Sequence, residues 1–210
     1  MPIKIITSLK ERLKNKLPAW EAQKTMSPLD TSRYLDINTA SKKAAVLALL
    51  YLNETGDLNI IYIKRPSHNP HDKHGGQISF PGGQQEEVDK NFEATALRET
   101  YEEIGIQPEN IEILGPLTPI FVYVSDFYVQ PFLGFLNQQP KYVLQASEVD
   151  YIIEEKVNYL ISDQSKHTID YKIRDTVMKD MPYYKVNNDI LWGATAMMLS
   201  EVRELLKQAL

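Results

Sequence analysis

The 210-residue sequence contains no cysteine, no long apolar run and no excess of basic side chains. Without cysteine it has no disulfide framework, thiolate zinc site or cysteine nucleophile, which is typical of a protein in the reducing cytoplasm. The best apolar run, Ala44 to Leu52, is far shorter than the roughly 18 residues of a membrane span and predicts a buried strand. A formal net charge of -5 disfavours nucleic acid as the partner, because phosphate backbones bind basic surfaces.

What is present is ordinary globular material, with 43% hydrophobic and 24% charged side chains. We expect residues 1–39 to form an N-terminal helix and a connector, and residues 40–210 to form one domain. A capping box at Ser8 and Glu11 is expected to begin the helix. Such a basic amphipathic helix could lie on a membrane surface, but packing on its own domain without stable membrane insertion is favoured. The sequence leaves the oligomeric state open.

Strand-like and helical segments alternate after residue 40. KKAAVLALLYL and LNIIYIKR flank a turn containing Asn53 and Gly56, which predicts a hairpin. Helices are expected at residues 89–104 and within residues 147–160, and the C-terminal 22 residues are expected to form a strand that runs into a helix. This mixture predicts an α/β domain in which helices cover a sheet.

Three glutamates, Glu99, Glu102 and Glu103, are spaced i, i+3, i+4 on the first of these helices. An apolar stripe centred on Leu97 is expected to face the core, with the acids on the opposite side. Most charge runs are solvated helix faces. Like charges four residues apart repel, however, unless a positive group lies between them.

Three features favour a divalent cation as that positive group. Carboxylates at this spacing project together and supply the oxygen ligands that Mg²⁺ or Mn²⁺ prefers. Arg98 is placed to pair with Glu102 at i,i+4 and to hold it for binding. Gly82 and Gly83 lie in the preceding loop, where glycine permits a backbone carbonyl, that of Gly82, to approach the same cation.

These residues resemble the signature of the Nudix hydrolase family, in which a glycine is followed by an acidic residue, then Arg-Glu-x-x-Glu-Glu-x-Gly and an aliphatic residue. Here the signature is Gly83, Asp89, RETYEEIG beginning at Arg98, and Ile106. Three details differ: the interval before Arg98 is one residue longer, Asp89 replaces a glutamate, and Thr100 replaces an aliphatic residue. The resemblance implies an α/β/α layered sandwich with a mixed central sheet.

The segments HGGQISFPGG and ILWGATAMML are similar to the coenzyme A pyrophosphatase branch of that family. That branch has a motif of the form R-S/A-x3-R-x3-G-x3-FPGG. Arg65 and Gly76 match its first arginine and its glycine, with two extra residues between them. Asp72 stands in place of the second arginine, where an aspartate repels a phosphate that an arginine would bind.

The resemblance implies a hydrolase that uses Mg²⁺ or Mn²⁺ to cleave a diphosphate linkage in a small nucleotide. It implies that Glu99, Glu102, Glu103 and the carbonyl of Gly82 bind the metal and that Arg98 orients a glutamate. The general base varies in this family between a glutamate of the signature and an acid from a later loop. Glu148, at the start of an expected helix, is the candidate for the later acid, although a glutamate there also suits the helix dipole.

Substrate contacts are expected from Arg65, Lys73 and Gln77, although all three could equally be solvated loop residues. Zinc is disfavoured, because the loop histidines do not complete a ligand set; these histidines are His68, His71 and His74. Three functions remain open: cleavage of coenzyme A or its derivatives, cleavage of another nucleoside diphosphate derivative such as ADP-ribose, NADH or a dinucleoside polyphosphate, and nucleotide binding without cleavage. The third has no use for three mutually repelling carboxylates.

Overall fold

The computed structural model describes residues 2–28, 42–67, 73–173 and 176–210. Its helices are α1 (Pro2–Leu13), α2 (Ala19–Gln23), α3 (Phe92–Ile104), α4 (Val157–Ile161) and α5 (Gly193–Ala209). Its strands are β1 (Lys42–Leu52), β2 (Leu58–Lys64), β3 (Ile78–Ser79), β4 (Gly82–Gln84), β5 (Glu112–Pro116), β6 (Ile120–Val122), β7 (Phe127–Leu136), β8 (Tyr151–Lys156), β9 (Lys166–Ile173), β10 (Thr176–Val186) and β11 (Asp189–Leu191).

The central strand of the main sheet is β1. Along one edge it pairs in parallel with β7 from Lys42 to Tyr51. Its other edge is shared, because β2 pairs antiparallel with residues 50–52 and β4 pairs antiparallel with residues 44–46. Along this edge, β4 therefore pairs with the first half of β1 and β2 pairs with its last residues.

Alternate residues of β1 point to opposite faces, and both faces are covered. On one face Ala44, Ala48 and Leu50 belong to a core that includes α5 and α1. On the other face Ala45, Leu47 and Leu49 pack with α3. A run of apolar residues without polar alternation is expected for a strand buried on both sides. The predicted α/β/α layers around a mixed sheet are confirmed.

Several local predictions are also confirmed. β1 and β2 form the expected hairpin, in which the side chain of Asn53 accepts hydrogen bonds from the amides of Thr55 and Asp57. Gly56 adopts a positive φ of 79°, which glycine tolerates without strain. At the C-terminus β11 runs into α5 as expected.

The N-terminal helix begins earlier than predicted. Because α1 begins at Pro2, Ser8 and Glu11 lie inside it and do not form a capping box at its start; proline is well suited to a first helical position. Ile5, Ile6 and Leu9 are part of the α5-side core. The expected boundary between residues 39 and 40 lies outside the described residues and stays a prediction.

The segment from Ser147 to Leu160, expected to form a helix or a loop followed by a helix, contains a strand that the sequence did not predict. Tyr151–Lys156 forms β8, which pairs antiparallel with β2, and only the short α4 follows it. Ile153 and Glu155 are buried at alternate positions, as expected for a strand that pairs with the sheet. This tertiary pairing outweighs the helical pattern of the local sequence. In the part of the chain that the structure describes, no helix has both the length and the apolarity of a membrane-spanning segment.

Candidate active site

The helix α3 carries the acidic cluster. It begins at Phe92, where the side chain of Asn91 accepts a hydrogen bond of 2.8 Å from the amide of Ala94. It ends at Gly105, whose φ of 77° is the left-handed conformation predicted for that residue. The helix is thus defined at both ends by its own sequence.

The side of α3 that faces the core differs from the prediction. The buried side chains are Thr95, Ala96, Thr100, Glu103 and Ile104. Tyr101, expected in the core stripe, is 44% exposed, whereas Glu103 is only 1% exposed. Thr100 can be buried without an unsatisfied polar group, because its hydroxyl donates to the carbonyl of Ala96 at 2.7 Å. The predicted solvent-facing orientation of the acids is wrong: the helix turns one of them inward.

Gly82 and Gly83 explain how the acids fit against the sheet. Both lie in β4, opposite Val46 and Ala45 of β1. A Cβ atom on Gly82, whose φ is 145°, would lie 2.3 Å from the carbonyl oxygen of Ala45. A Cβ atom on Gly83 would lie 2.5 Å from the carboxylate of Glu99. The absence of a side chain at Gly82 therefore lets β4 approach β1, and its absence at Gly83 leaves room for the carboxylate of Glu99.

Glu103 is the most deeply buried acid of the cluster. Its Oε2 accepts a hydrogen bond of 2.8 Å from the amide of Gly82, and its Oε1 lies 4.0 Å from Nη1 of Arg65. The pKa of Glu103 is raised to about 8, mainly by burial and to a smaller extent by the charges of Glu99 and Glu148, against the opposing effects of the Gly82 amide and Arg65. Burial also raises the pKa of Glu99. Without a further positive group, both carboxyls are therefore protonated more readily than an exposed glutamate.

Arg98 connects the remaining acids. Its Nη1 lies 3.0 Å from Oε1 of Glu99 and donates to Oε2 of Glu102 at 2.8 Å. Its Nη2 donates to the carbonyl of Gln84 at 3.1 Å. Its Nε and Nη2 each donate to Asp89 at 2.9 Å. The pairing with Glu102 expected from i,i+4 spacing is present, and Arg98 also contacts the carboxylates of Glu99 and Asp89.

Sequence reasoning gave Asp89 no role beyond its match to the signature. Its side chain is 3% exposed, and hydrogen bonding to Arg98 holds its pKa well below the usual range. The same bonds raise the pKa of Arg98. Asp89 lies before α3 and nine residues before Arg98, so helical spacing does not predict their contact. In the sequence, only the place of Asp89 in the signature pointed to it.

Glu148 is close to the cluster but is not on a helix. It is an exposed residue in a turn that ends shortly before β8, so the helix-dipole explanation for an acid at this position does not apply. Its charge raises the pKa values of both Glu99 and Glu103. The chain thus brings an acid from a distant segment to the acids of α3.

The substrate-contact candidates are distributed over the loop that follows β2. Arg65, at the end of β2, is brought next to Glu103. Lys73 instead donates from Nζ to the carbonyl of Val124 at 2.9 Å, in the turn before β7. Oε1 of Gln77 lies 3.1 Å from Nδ1 of His74. The structure therefore places Arg65 at the acids and gives Lys73 and Gln77 other contacts. Three residues discussed above lie outside the described residues: His68, His71 and Asp72.

The donor chemistry of the cluster suits a hard divalent cation. Among the described residues no three acidic or histidine side chains already form a cation cage. The reason is visible in the contacts, because Arg98 draws Glu99 and Glu102 together while the amide of Gly82 holds Glu103. Buried carboxylates in excess over their cationic partners are the oxygen donors that Mg²⁺ and Mn²⁺ bind.

Comparison with known sequences agrees with the signature. The NUDIX domain family matches residues 41–170. The chain is 30% identical over 192 residues to Nudix hydrolase 15, mitochondrial, of Arabidopsis thaliana, covering 83% of this chain and 61% of that protein. It is 33% identical over 162 residues to the uncharacterized Nudix hydrolase NudL of Enterobacter sp. (strain 638), covering 77% of this chain and 81% of that protein. The chain thus spans about three fifths of the plant relative.

The fold has counterparts among solved structures. The Nudix hydrolase RenU from M. smegmatis superposes with a TM-score of 0.53 at 14% identity, covering 80% of this chain and 86% of that one. A MutT/nudix family protein from Enterococcus faecalis superposes with a TM-score of 0.52 at 17% identity, covering 79% of this chain and 62% of that one. At these identities the likeness establishes the arrangement of strands and helices.

Proposed function

Because the chain belongs to the Nudix family, we propose that it is a divalent-metal-dependent hydrolase that cleaves the diphosphate linkage of coenzyme A or its derivatives. The products are adenosine 3',5'-bisphosphate and 4'-phosphopantetheine. The observation that carries the hydrolase proposal is the insertion of Glu103, 1% exposed, among further carboxylates at the glycine pair. The similarity of HGGQISFPGG and ILWGATAMML to the coenzyme A branch supports the substrate.

Glu99, Glu102, Glu103 and the carbonyl of Gly82 would hold the Mg²⁺ or Mn²⁺ ion. When bound, such an ion neutralises the diphosphate and makes a water molecule easier to deprotonate. A bound cation fits the burial of Glu103 and Glu99, because a buried carboxylate is costly to keep charged and their raised pKa values are lowered only in part by Arg65 and Arg98.

Glu148 is proposed to take the proton of the attacking water. The water oxygen bonds to one phosphorus of the diphosphate, the bridging P–O bond breaks, and the second phosphate leaves. Glu148 suits this role because it is exposed beside Glu99 and Glu103, where a carboxylate can reach solvent and the reacting group together. Arg98 fixes the rotamers of Glu99 and Glu102 through the bonds described above.

Arg65, Lys73 and Gln77 are proposed to bind the phosphates or ribose of a small-molecule nucleotide. Arg65 is adjacent to the acids, and a guanidinium binds phosphate through paired hydrogen bonds. Lys73 and Gln77 lie on the same loop as Arg65. A phosphate oxygen can replace the carbonyl that accepts from Lys73, and the side-chain amide nitrogen of Gln77 is a donor to phosphate or ribose oxygens.

A second candidate is hydrolysis of another nucleoside diphosphate derivative, such as ADP-ribose, NADH or a dinucleoside polyphosphate. The specific observation in its favour is Asp72, which stands where the coenzyme A motif has an arginine. An aspartate does not bind the additional 3'-phosphate that distinguishes coenzyme A from these compounds.

The experiment that tests both candidates incubates the purified protein with Mg²⁺ or Mn²⁺ and each compound: coenzyme A, ADP-ribose, NADH and diadenosine polyphosphates. Adenosine 3',5'-bisphosphate as the product supports the first proposal, and turnover of only the other compounds supports the second. Tight nucleotide binding with no turnover of any compound overturns both and indicates a binding protein.

Glu102→Gln separates a catalytic role from a structural one. The side chain of Glu102 is 51% exposed, so we expect the melting temperature of the metal-free protein to change little while turnover is lost. Glu109→Gln, an equivalent change at an exposed residue beyond the end of α3, is the control and should retain turnover. A large loss of stability in metal-free Glu102→Gln would instead assign Glu102 to the fold.

A further inference from the structure

Glu148 lies in the loop of residues 137–150, which joins β7 to β8. Two of its backbone amides are bonded to the C-terminal end of α3: Val143 donates to the carbonyl of Ile104 and Gln145 donates to the carbonyl of Glu103, each at 3.0 Å. The loop is therefore attached to the same helical turn that presents the buried carboxylate.

The fit between this loop and the helix end is tight. A Cβ atom on Gly105 would lie 2.7 Å from Cβ and 2.9 Å from the amide nitrogen of Val143. No side chain other than hydrogen fits there without displacing backbone. The loop position and the left-handed end of α3 are therefore mutually dependent.

Tyr142 fastens the loop from its other side. Its hydroxyl donates to Oε1 of Glu154 in β8 at 2.6 Å, and its ring packs on the core beneath α3. The pKa of Tyr142 is raised mainly by burial and, to a smaller extent, by the hydrogen bond to Glu154. Tyr51 of β1, which is also buried, interacts through its hydroxyl with Glu154 as well. Glu154 thus joins the loop to two strands of the main sheet.

Residues 145–149 form a compact turn, so a fixed position at its start determines where Glu148 lies. The carbonyl of Gln145 accepts hydrogen bonds of 2.9 Å from the amides of Glu148 and Val149. Val149 is buried, whereas Glu148 is exposed.

We propose that Tyr142 is a positioning residue that, through its hydrogen bond to Glu154, holds the loop so that Glu148 lies beside Glu99 and Glu103. This inference rests on the proposed function in one respect, the role of Glu148 as the base. Small displacements of a catalytic group are costly, since an error of about 1 Å can reduce a rate up to roughly a hundredfold. Tyr142 touches neither the substrate nor the reacting atoms.

The test is a double-mutant cycle between Tyr142→Phe and Glu148→Gln, measured as kcat and KM on whichever compound the wild-type protein hydrolyses. We expect Tyr142→Phe to lower kcat about tenfold, within the range for a misplaced group, with KM nearly unchanged. In the Glu148→Gln protein the same change should have no further effect, because the group that it positions is already absent. The control is Tyr184→Phe, which removes a buried hydroxyl contact of 3.2 Å to Ser200 in the α5-side core and should leave kcat unchanged.

Amide hydrogen exchange on the same variants reports on the loop without turnover. Tyr142→Phe should accelerate exchange at Val143 and Gln145, and Tyr184→Phe should not. Equal fold-losses of kcat in the two Glu148 backgrounds, or unchanged exchange at both amides, would overturn the positioning role. If Glu148→Gln itself retains the wild-type kcat, the assignment of the base fails, whereas accelerated exchange would still show that Tyr142 fastens the loop.

Discussion

Arg98 and Asp89 form a pair of parallel hydrogen bonds, each 2.9 Å long, between the guanidinium and both oxygens of the carboxylate. Asp89 also accepts from the hydroxyl of Thr95 and the amide of Glu86. The aspartate thereby fixes the plane of the guanidinium, so that Nη1 of Arg98 points to Glu99 and Glu102.

Asp89→Asn should lower the free energy of unfolding by about 2–3 kcal/mol, because it breaks a largely buried charge pair and leaves Arg98 without its main partner. Turnover should fall as well, since Glu99 and Glu102 lose the guanidinium orientation that positions them. Urea denaturation and kcat measure the two effects. Asp57→Asn is the matched control: Asp57 pairs with Lys156 at an exposed site, so the change should leave the free energy of unfolding nearly unaltered. Equal losses in the two variants would contradict this account.

The same pair predicts a pH dependence of stability. The pKa of Asp89 is lowered in the folded protein from an ordinary value of 3.8. Its contribution is therefore complete above the unfolded-state pKa and is lost as the pH falls through the folded-state pKa. We expect the free energy of unfolding to decline below about pH 4, and to decline less steeply in Asp89→Asn. Urea titrations of both proteins across this range measure the difference, and parallel curves would exclude Asp89 as a contributor.

Gly82→Ala and Gly83→Ala should have different consequences although the residues are neighbours. At Gly82 the new Cβ meets backbone atoms of Ala45 and Val46 at a positive φ, so we expect a loss of stability of several kcal/mol, or no folded protein. At Gly83 the new Cβ meets only the end of the Glu99 side chain, which can rotate away. That variant should fold with nearly normal stability and lose turnover.

Thermal unfolding and activity assays of both glycine variants check this difference. Gly56→Ala is a useful control, because Gly56 has a positive φ but a Cβ atom added there would have no other atom within 4 Å. It should cost about 1 kcal/mol from backbone strain alone and retain activity. A stable and fully active Gly83→Ala protein would show that Glu99 does not need its observed position.

The N-terminal helix is expected to contribute to the stability of the whole domain. Leu9 is fully buried against the core that includes α5, whereas Ile3 on the same helix is 72% exposed. Leu9→Ala should lower the free energy of unfolding by about 2–5 kcal/mol in a single transition. Ile3→Ala should change it by less than about 0.5 kcal/mol. A separate early transition in Leu9→Ala would show that residues 2–28 unfold independently of the domain.

The buried carboxylate Glu201 supports this expectation. It accepts hydrogen bonds from the amides of Ala19 and Thr118, each at 2.9 Å, and from the hydroxyl of Thr118. These three neutral donors satisfy its buried oxygens. The bond to Ala19 ties α2 to α5, which the sequence of neither segment indicates.

The sequence alone determined the local elements with strong patterns. The apolar run of β1, the turn at Asn53 and Gly56, and the end of α3 at Gly105 were all predicted, because strand burial, turn chemistry and left-handed helix ends are properties of short segments. The signature formed by Gly83, Asp89, RETYEEIG and Ile106 also pointed to the family, because it is a pattern of nearby residues in one segment of the chain.

The tertiary structure decided which of those acids faces inward and what each one contacts. The sequence pattern of α3 favoured Leu97 and Tyr101 as its buried side. In the structure the amide of Gly82 binds the carboxylate of Glu103, and the absent side chain of Gly83 leaves room for Glu99. The place of Glu148 likewise depends on β8, which replaced an expected helix because β2 offered it an unpaired edge. Contacts between segments distant in the chain depend on the shape of the surfaces that meet, and no local pattern encodes that shape.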